Sequence, residues 1–80
     1  MKSFLMVYDR QRGQLLRLEQ FQEQDDALRQ RFVLERTYSE NPDIEVVVLV
    51  AESEEELRYT HARYFNSFGD LLRTMSVRLA

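Results

Sequence analysis

The sequence predicts an α+β domain: a three-stranded sheet in the order 2-1-3, element order ββαβα, with two helices packed on one face. Three observations carry this expectation. The run Ile44–Ala51 holds four valines, one Leu and one Ile in eight residues, the composition of a buried strand. Two earlier apolar runs, 3–8 and 14–21, flank a short polar loop ending in Gly13, which is a hairpin pattern. The segments between and after these runs carry helix-start signals and apolar residues at helical spacing.

Strand side chains alternate between two faces. In the first strand, Phe4, Met6 and Tyr8 share one face, and Leu5 and Val7 share the other. Pairing Tyr8 with Gln14 sets Met6 against Leu16 and Phe4 against Leu18, leaving Leu15, Arg17, Glu19 and Phe21 on the opposite face. A first strand apolar on both faces belongs in the middle of the sheet, antiparallel to both neighbours. Gly13 supplies the positive φ that hairpin loops often need.

The first helix is expected over residues 25–39. Asp25 and Asp26 suit its N-terminus, where free N–H groups and the helix dipole favour acids. Pro42 ends it within the turn cluster Ser39-Glu40-Asn41-Pro42-Asp43. Ala27, Leu28, Phe32, Leu34 and Tyr38 share its apolar stripe, and Arg31 and Glu35 fall inside that stripe, four residues apart. The plain reading of this pair is a surface ion pair; the sharper one is a charged pair lining a pocket.

The last strand places Ile44, Val46, Val48 and Val50 on one face, and Val47 and Leu49 on the other. A second helix starts at Ser53, which forms a capping-box pattern with Glu56. Leu57, His61, Tyr64, Phe68, Leu71 and Met75 then recur at spacings of four and three. This stripe reads either as one long helix or as two hinged near residues 66–69, where Gly69 disfavours helix. Residues 70–80 are a candidate C-terminal helical appendage on a single small domain, 1–80.

Eighty residues supply too few helices to cover two apolar sheet faces. The second face is therefore expected to be used for oligomerisation, most simply by a second copy, with Leu5, Val7, Leu15, Val47 and Leu49 at the dimer interface.

Composition narrows the function classes. A net charge of -3 argues against general binding of nucleic acid or an anionic membrane. No apolar run reaches the ~20 residues of a membrane span. The apolar run at residues 4–8 is too short for a secretory leader. Without cysteine there is no disulfide framework or thiolate metal site, and a single histidine nearly excludes a zinc site by numbers alone. The acidic run Glu52, Glu54, Glu55 and Glu56 lacks the spacing of a calcium loop. Two glycines, far apart, exclude a phosphate-cradling loop. No cofactor and no metal are expected, and the compartment expected is the cytoplasm of a bacterium. Ten arginines among eleven basic residues fit a GC-rich genome.

His61, the sole histidine, stands near Tyr64 and Arg63, a set that could hold an anion or move a proton, with Arg31 as a further cation. Against this stands the plain reading of a half-buried helix histidine, which the sequence favours because no nucleophile or acid accompanies it at a telling spacing. The functional expectation is a small non-catalytic homodimeric interaction protein. The alternative is a small-molecule binder or minor enzyme, an anionic ligand being the class its cations would suit, with a pocket at His61, Tyr64, Arg31 and Arg63.

Overall fold

The computed structural model describes residues 1–65. Strands β1 (Lys2–Asp9), β2 (Gln14–Phe21) and β3 (Ile44–Ala51) form one sheet in the order β2-β1-β3, with β1 antiparallel to both neighbours. Helix α1 (Gln24–Thr37) connects β2 to β3, and α2 (Glu54–Thr60) follows β3 and leads into a 3-10 turn, Ala62–Tyr64. The α+β architecture and the strand order are those the sequence predicts.

The register of β1 against β3 decides where the helices lie. Phe4 stands opposite Leu49 and Met6 opposite Val47, whereas Leu5 faces Val48 and Val7 faces Val46. Directly opposed residues of an antiparallel pair share a face. One face therefore carries Phe4, Met6, Val47 and Leu49, and it packs with Leu57 of α2 and with Tyr64. The other carries Leu5, Val7, Val46 and Val48, and it packs with Leu34 and Tyr38 at the end of α1. The two helices thus cover opposite faces, which corrects the expectation that both sit on one. The physical reason is that both faces of β1 are equally apolar, and leaving either in water costs more than splitting the helices between them. Phe4, Leu5, Met6 and Val7 are all buried within a single chain.

The hairpin differs in register from its sequence reading. Asp9 accepts hydrogen bonds through one carboxylate oxygen from the N–H groups of Gln11 (3.0 Å) and Arg12 (3.2 Å), which winds the loop tightly. Gly13 then takes a φ of 64°. A bulge follows: Val7 opposes Arg17 but Tyr8 opposes Leu15, so β2 holds one residue too many, Leu16. The bulge turns Leu15 onto the same face as Leu18, both packing on the Phe4 cluster, and leaves Leu16 exposed. Met6 faces Leu18 rather than Leu16, and Phe4 faces Gln20 rather than Leu18.

In α1 the buried residues are Ala27 and Leu34, with Tyr38 half-buried beyond them. Leu28 and Phe32, expected on the buried stripe, are 41% and 62% exposed. The stripe is narrower than the sequence suggested because the helix crosses a small sheet and touches it along one line. Helix α2 begins as predicted, with the Ser53 hydroxyl accepting from the Glu56 N–H at 3.1 Å. The Glu56 carboxylate reaches back to the N–H of Glu52 at 3.3 Å, one residue beyond the usual capping-box target at Ser53. The helix stops at Thr60, not near residue 66. Its continuation tightens into the 3-10 turn, where the Tyr64 N–H donates to the carbonyl of His61 at 3.1 Å. This turn brings Tyr64 down onto the sheet, and that packing overrides the helical spacing of the stripe. Phe68, Leu71, Met75 and the appendage expected at 70–80 lie outside the described residues.

Candidate functional site

Two features of the fold expose chemistry that packing alone does not explain. The first is a polar cluster at the start of β3. Glu45 is the one charged residue in β3, and its register opposite Tyr8 points it to the α2 face. Its side chain is only 17% exposed. One carboxylate oxygen accepts from the Tyr64 hydroxyl at 3.2 Å and from the Arg63 guanidinium at 3.4 Å. The other lies 3.7 Å from Arg10 Nε, an ion-pair distance too long for a hydrogen bond, and is buried with no hydrogen-bond partner among the described residues.

Tyr64 holds this cluster against the core. Its ring meets Tyr8 edge to face at 5.2 Å between centroids, and the Arg63 guanidinium lies over it at 4.1 Å. Arg63 also donates to the Tyr64 hydroxyl. Burial, and next the Glu45 carboxylate, raise the phenol above its usual value near 10, while Arg63 and Arg10 pull the other way. A neutral phenol held against an arginine-paired carboxylate is a cross-tie between β3 and the turn after α2. It presents no nucleophile.

The four residues named from the sequence as a ligand site are not brought together as a set. His61 caps the C-terminus of α2, half-buried, with its ring 6.4 Å from that of Tyr64. Tyr64 is buried and Arg63 is engaged with Glu45. Arg31 sits on α1, across the sheet from the other three, and pairs with Glu35 at 2.7 Å, as its plain reading had it. Three surface hollows lie elsewhere: beside the start of α2 at Ser53, Glu56 and Tyr59; along the exposed ridge of Leu28, Phe32 and Val33; and at the start of β3. None of the three is lined by His61, Tyr64 or Arg63.

The five residues expected at a dimer interface also separate. Leu5 and Val7 are buried beneath α1. Leu15, Val47 and Leu49 lie on the opposite face, packed on the α2 cluster. They cannot form one contact surface, because the bulge moves Leu15 across and the β1–β3 register places Val47 and Leu49 beside Met6 and Phe4.

The second feature is the edge of β3. The strand pairs with β1 on one side, and among the described residues no strand pairs with the other. The opposite edge of the sheet, β2, carries a bulge, the ion pair Arg17–Glu19, and the polar Gln14 and Gln20. These are the devices by which proteins keep sheet edges from pairing. Eight-residue β3 carries six Val, Ile and Leu residues and the single charge of Glu45. A hollow lined by Arg10, Tyr38, Ile44, Glu45, Val46 and Val47 flanks its first half.

Among the described residues, no group of His, Cys, Asp and Glu side chains gathers where it could hold a metal ion. No helix there is long and apolar enough to cross a membrane. Comparison with protein-family models, curated proteins and solved structures finds no match to this chain. Sequence reasoning passed over Glu45 and the β3 edge. The signal was present in one acid inside an otherwise apolar strand, which calls for a partner to that acid.

Proposed function

We propose that this chain is a small non-catalytic interaction module whose working surface is the open edge of β3. The observation that supports it is the contrast between the two sheet edges: β2 is guarded by a bulge and charges, and among the described residues β3 is not. An unguarded edge accepts an extended segment, with main-chain hydrogen bonds supplying affinity and side-chain alternation supplying selectivity. The homodimer expected from the sequence loses its motive at the sheet faces, since helices pack on both, and any assembly is proposed at this edge instead. A cytoplasmic setting fits a chain with no cysteine to oxidise. The rival reading, an anion site around His61, is weakened because Arg10 and Arg63 already share the Glu45 carboxylate.

Amide hydrogen exchange tests the module reading. In an antiparallel strand paired on one side, alternate N–H groups point outward. Those of β3 should exchange freely in the monomer and gain protection in step with partner binding or assembly. Protection that is present in a monomer, independent of any partner, overturns the reading.

A further inference from the structure

We infer that the occupant of the β3 edge is β3 of a second copy, paired antiparallel about a two-fold axis to make one six-stranded sheet in the order β2-β1-β3-β3-β1-β2. This rests on the module reading above and adds the identity of the partner and the geometry of its docking.

Three properties of the strand support self-pairing. The first is edge closure. A foreign extended peptide covers β3 and leaves its own outer side open, whereas a second copy consumes the unguarded edge of both chains at once. The resulting sheet is bounded on both sides by β2, with its bulge and its Arg17–Glu19 pair. The second is self-complementarity. Opposed residues in an antiparallel ladder share a face, so a two-fold axis normal to the sheet passes midway between the two copies of one residue, and the residues at the middle of Ile44–Ala51 are Val47 and Val48. An axis at Val48 sets Val46 against Val50, Val47 against Leu49, and Glu45 against Ala51. An axis at Val47 sets Ile44 against Val50, Val46 against Val48, and Glu45 against Leu49. Either register stacks β-branched side chains on one another and keeps the two Glu45 carboxylates apart, the arrangement that favours cross-strand pairing. The third is exposed surface of the right kind. Val50, 42% exposed at the far end of β3, gains an apolar neighbour in both registers.

The parity of the ladder supplies a sharp test, because the chain has no native cysteine. Val47→Cys and Val48→Cys are made singly in the full chain and oxidised under mild conditions. The residue on the axis faces its own copy at ~4.5–5.5 Å between Cα atoms, within disulfide reach. Its neighbour faces a different residue and lies ~7–8 Å from its copy on the diagonal, outside that reach. One variant, and not the other, should shift from 9.6 kDa to twice that mass on a non-reducing gel. Light scattering on the unsubstituted chain at micromolar concentration should also report about two copies, which keeps the inference testable if a cysteine variant fails to fold. A dimer in which both variants crosslink, or neither does, overturns the two-fold ladder. A monomer whose outward β3 amides exchange freely overturns self-pairing and leaves the module reading standing. A monomer with those amides protected overturns both.

Discussion

The two faces of the sheet are held by different means. On the α1 face, Leu5, Val7, Val46 and Leu34 make an aliphatic cluster. The helix over it runs 14 residues and has no side-chain hydrogen bond at its N-cap, Glu23. On the α2 face a helix of seven residues rests on one fully buried side chain, Leu57, and is tied down at both ends by polar groups. Ser53 and Glu56 fasten its start, and the Glu45–Tyr64–Arg63 cross-tie fastens the turn after it. A helix of seven residues is far too short to persist in water on its own propensity. The comparison teaches that length and burial can stand in for caps, and that a short helix needs directional bonds to hold the place that a long one holds by area.

Core truncations give the largest expected effects. Leu57→Ala and Leu34→Ala should each cost ~2–5 kcal/mol through lost transfer energy and the cavity left behind. Leu57→Ala should be the worse of the two in urea melts, because Leu57 is the single buried residue of its helix while Leu34 shares α1 with Ala27. Equal losses would erase the distinction between the faces. Next come the caps. Ser53→Ala should cost ~1 kcal/mol, the usual worth of an N-cap oxygen, and Glu23→Ala should lie within ~0.5 kcal/mol of no change. A costly Glu23→Ala would mean that α1 depends on its first residue after all.

A modest effect at neutral pH, comparable to that of the Ser53 cap, sits in the cross-tie. Tyr64→Phe removes one hydrogen bond to Glu45, worth ~0.5–1.5 kcal/mol net. Its signature is in alkali. The folded-state pKa of Tyr64 lies above the unfolded value of 10.0, so the folded chain holds this proton more tightly. The stability linked to it is complete below pH 10 and is lost as pH rises through the folded-state value. The unsubstituted chain should therefore lose stability above pH 10 more steeply than Tyr64→Phe. Parallel pH profiles for the two chains would show that the phenol is not held as the geometry has it.

Much of this fold is legible in the sequence, and the failures have causes. The order β2-β1-β3 follows from β1 being apolar on both faces, and the start of α2 from Ser53 and Glu56. The same two-faced pattern predicts oligomerisation and equally describes a sheet with one helix per face. Nothing in a periodicity count chooses between covering a face with a helix and covering it with another molecule. The bulge was foreshadowed by Leu15 and Leu18, two core residues three apart where a regular strand requires an even spacing. The end of α2 was hidden, because a 3-10 turn keeps side chains three apart on one side much as a helix does. Of the candidate site, His61, Arg63 and Tyr64 were placed near one another correctly, and Arg31 was not, since its face could be known only once the helices had been assigned to opposite sides.

The edge-to-face contact of Tyr8 with Tyr64 has a practical consequence for watching this molecule fold. The chain has no tryptophan, so its aromatic optical signal comes from tyrosine and phenylalanine. Two of its four tyrosines meet at 5.2 Å on the α2 face, while Tyr38 packs on the α1 face and Tyr59 is exposed. Near-ultraviolet circular dichroism, which reports fixed aromatic packing, therefore listens mainly to one side of the sheet. Far-ultraviolet signal, dominated by α1 in the helix content of the described residues, listens mainly to the other. Melting curves from the two spectral regions that fail to superimpose would make visible a sheet whose two coverings let go separately.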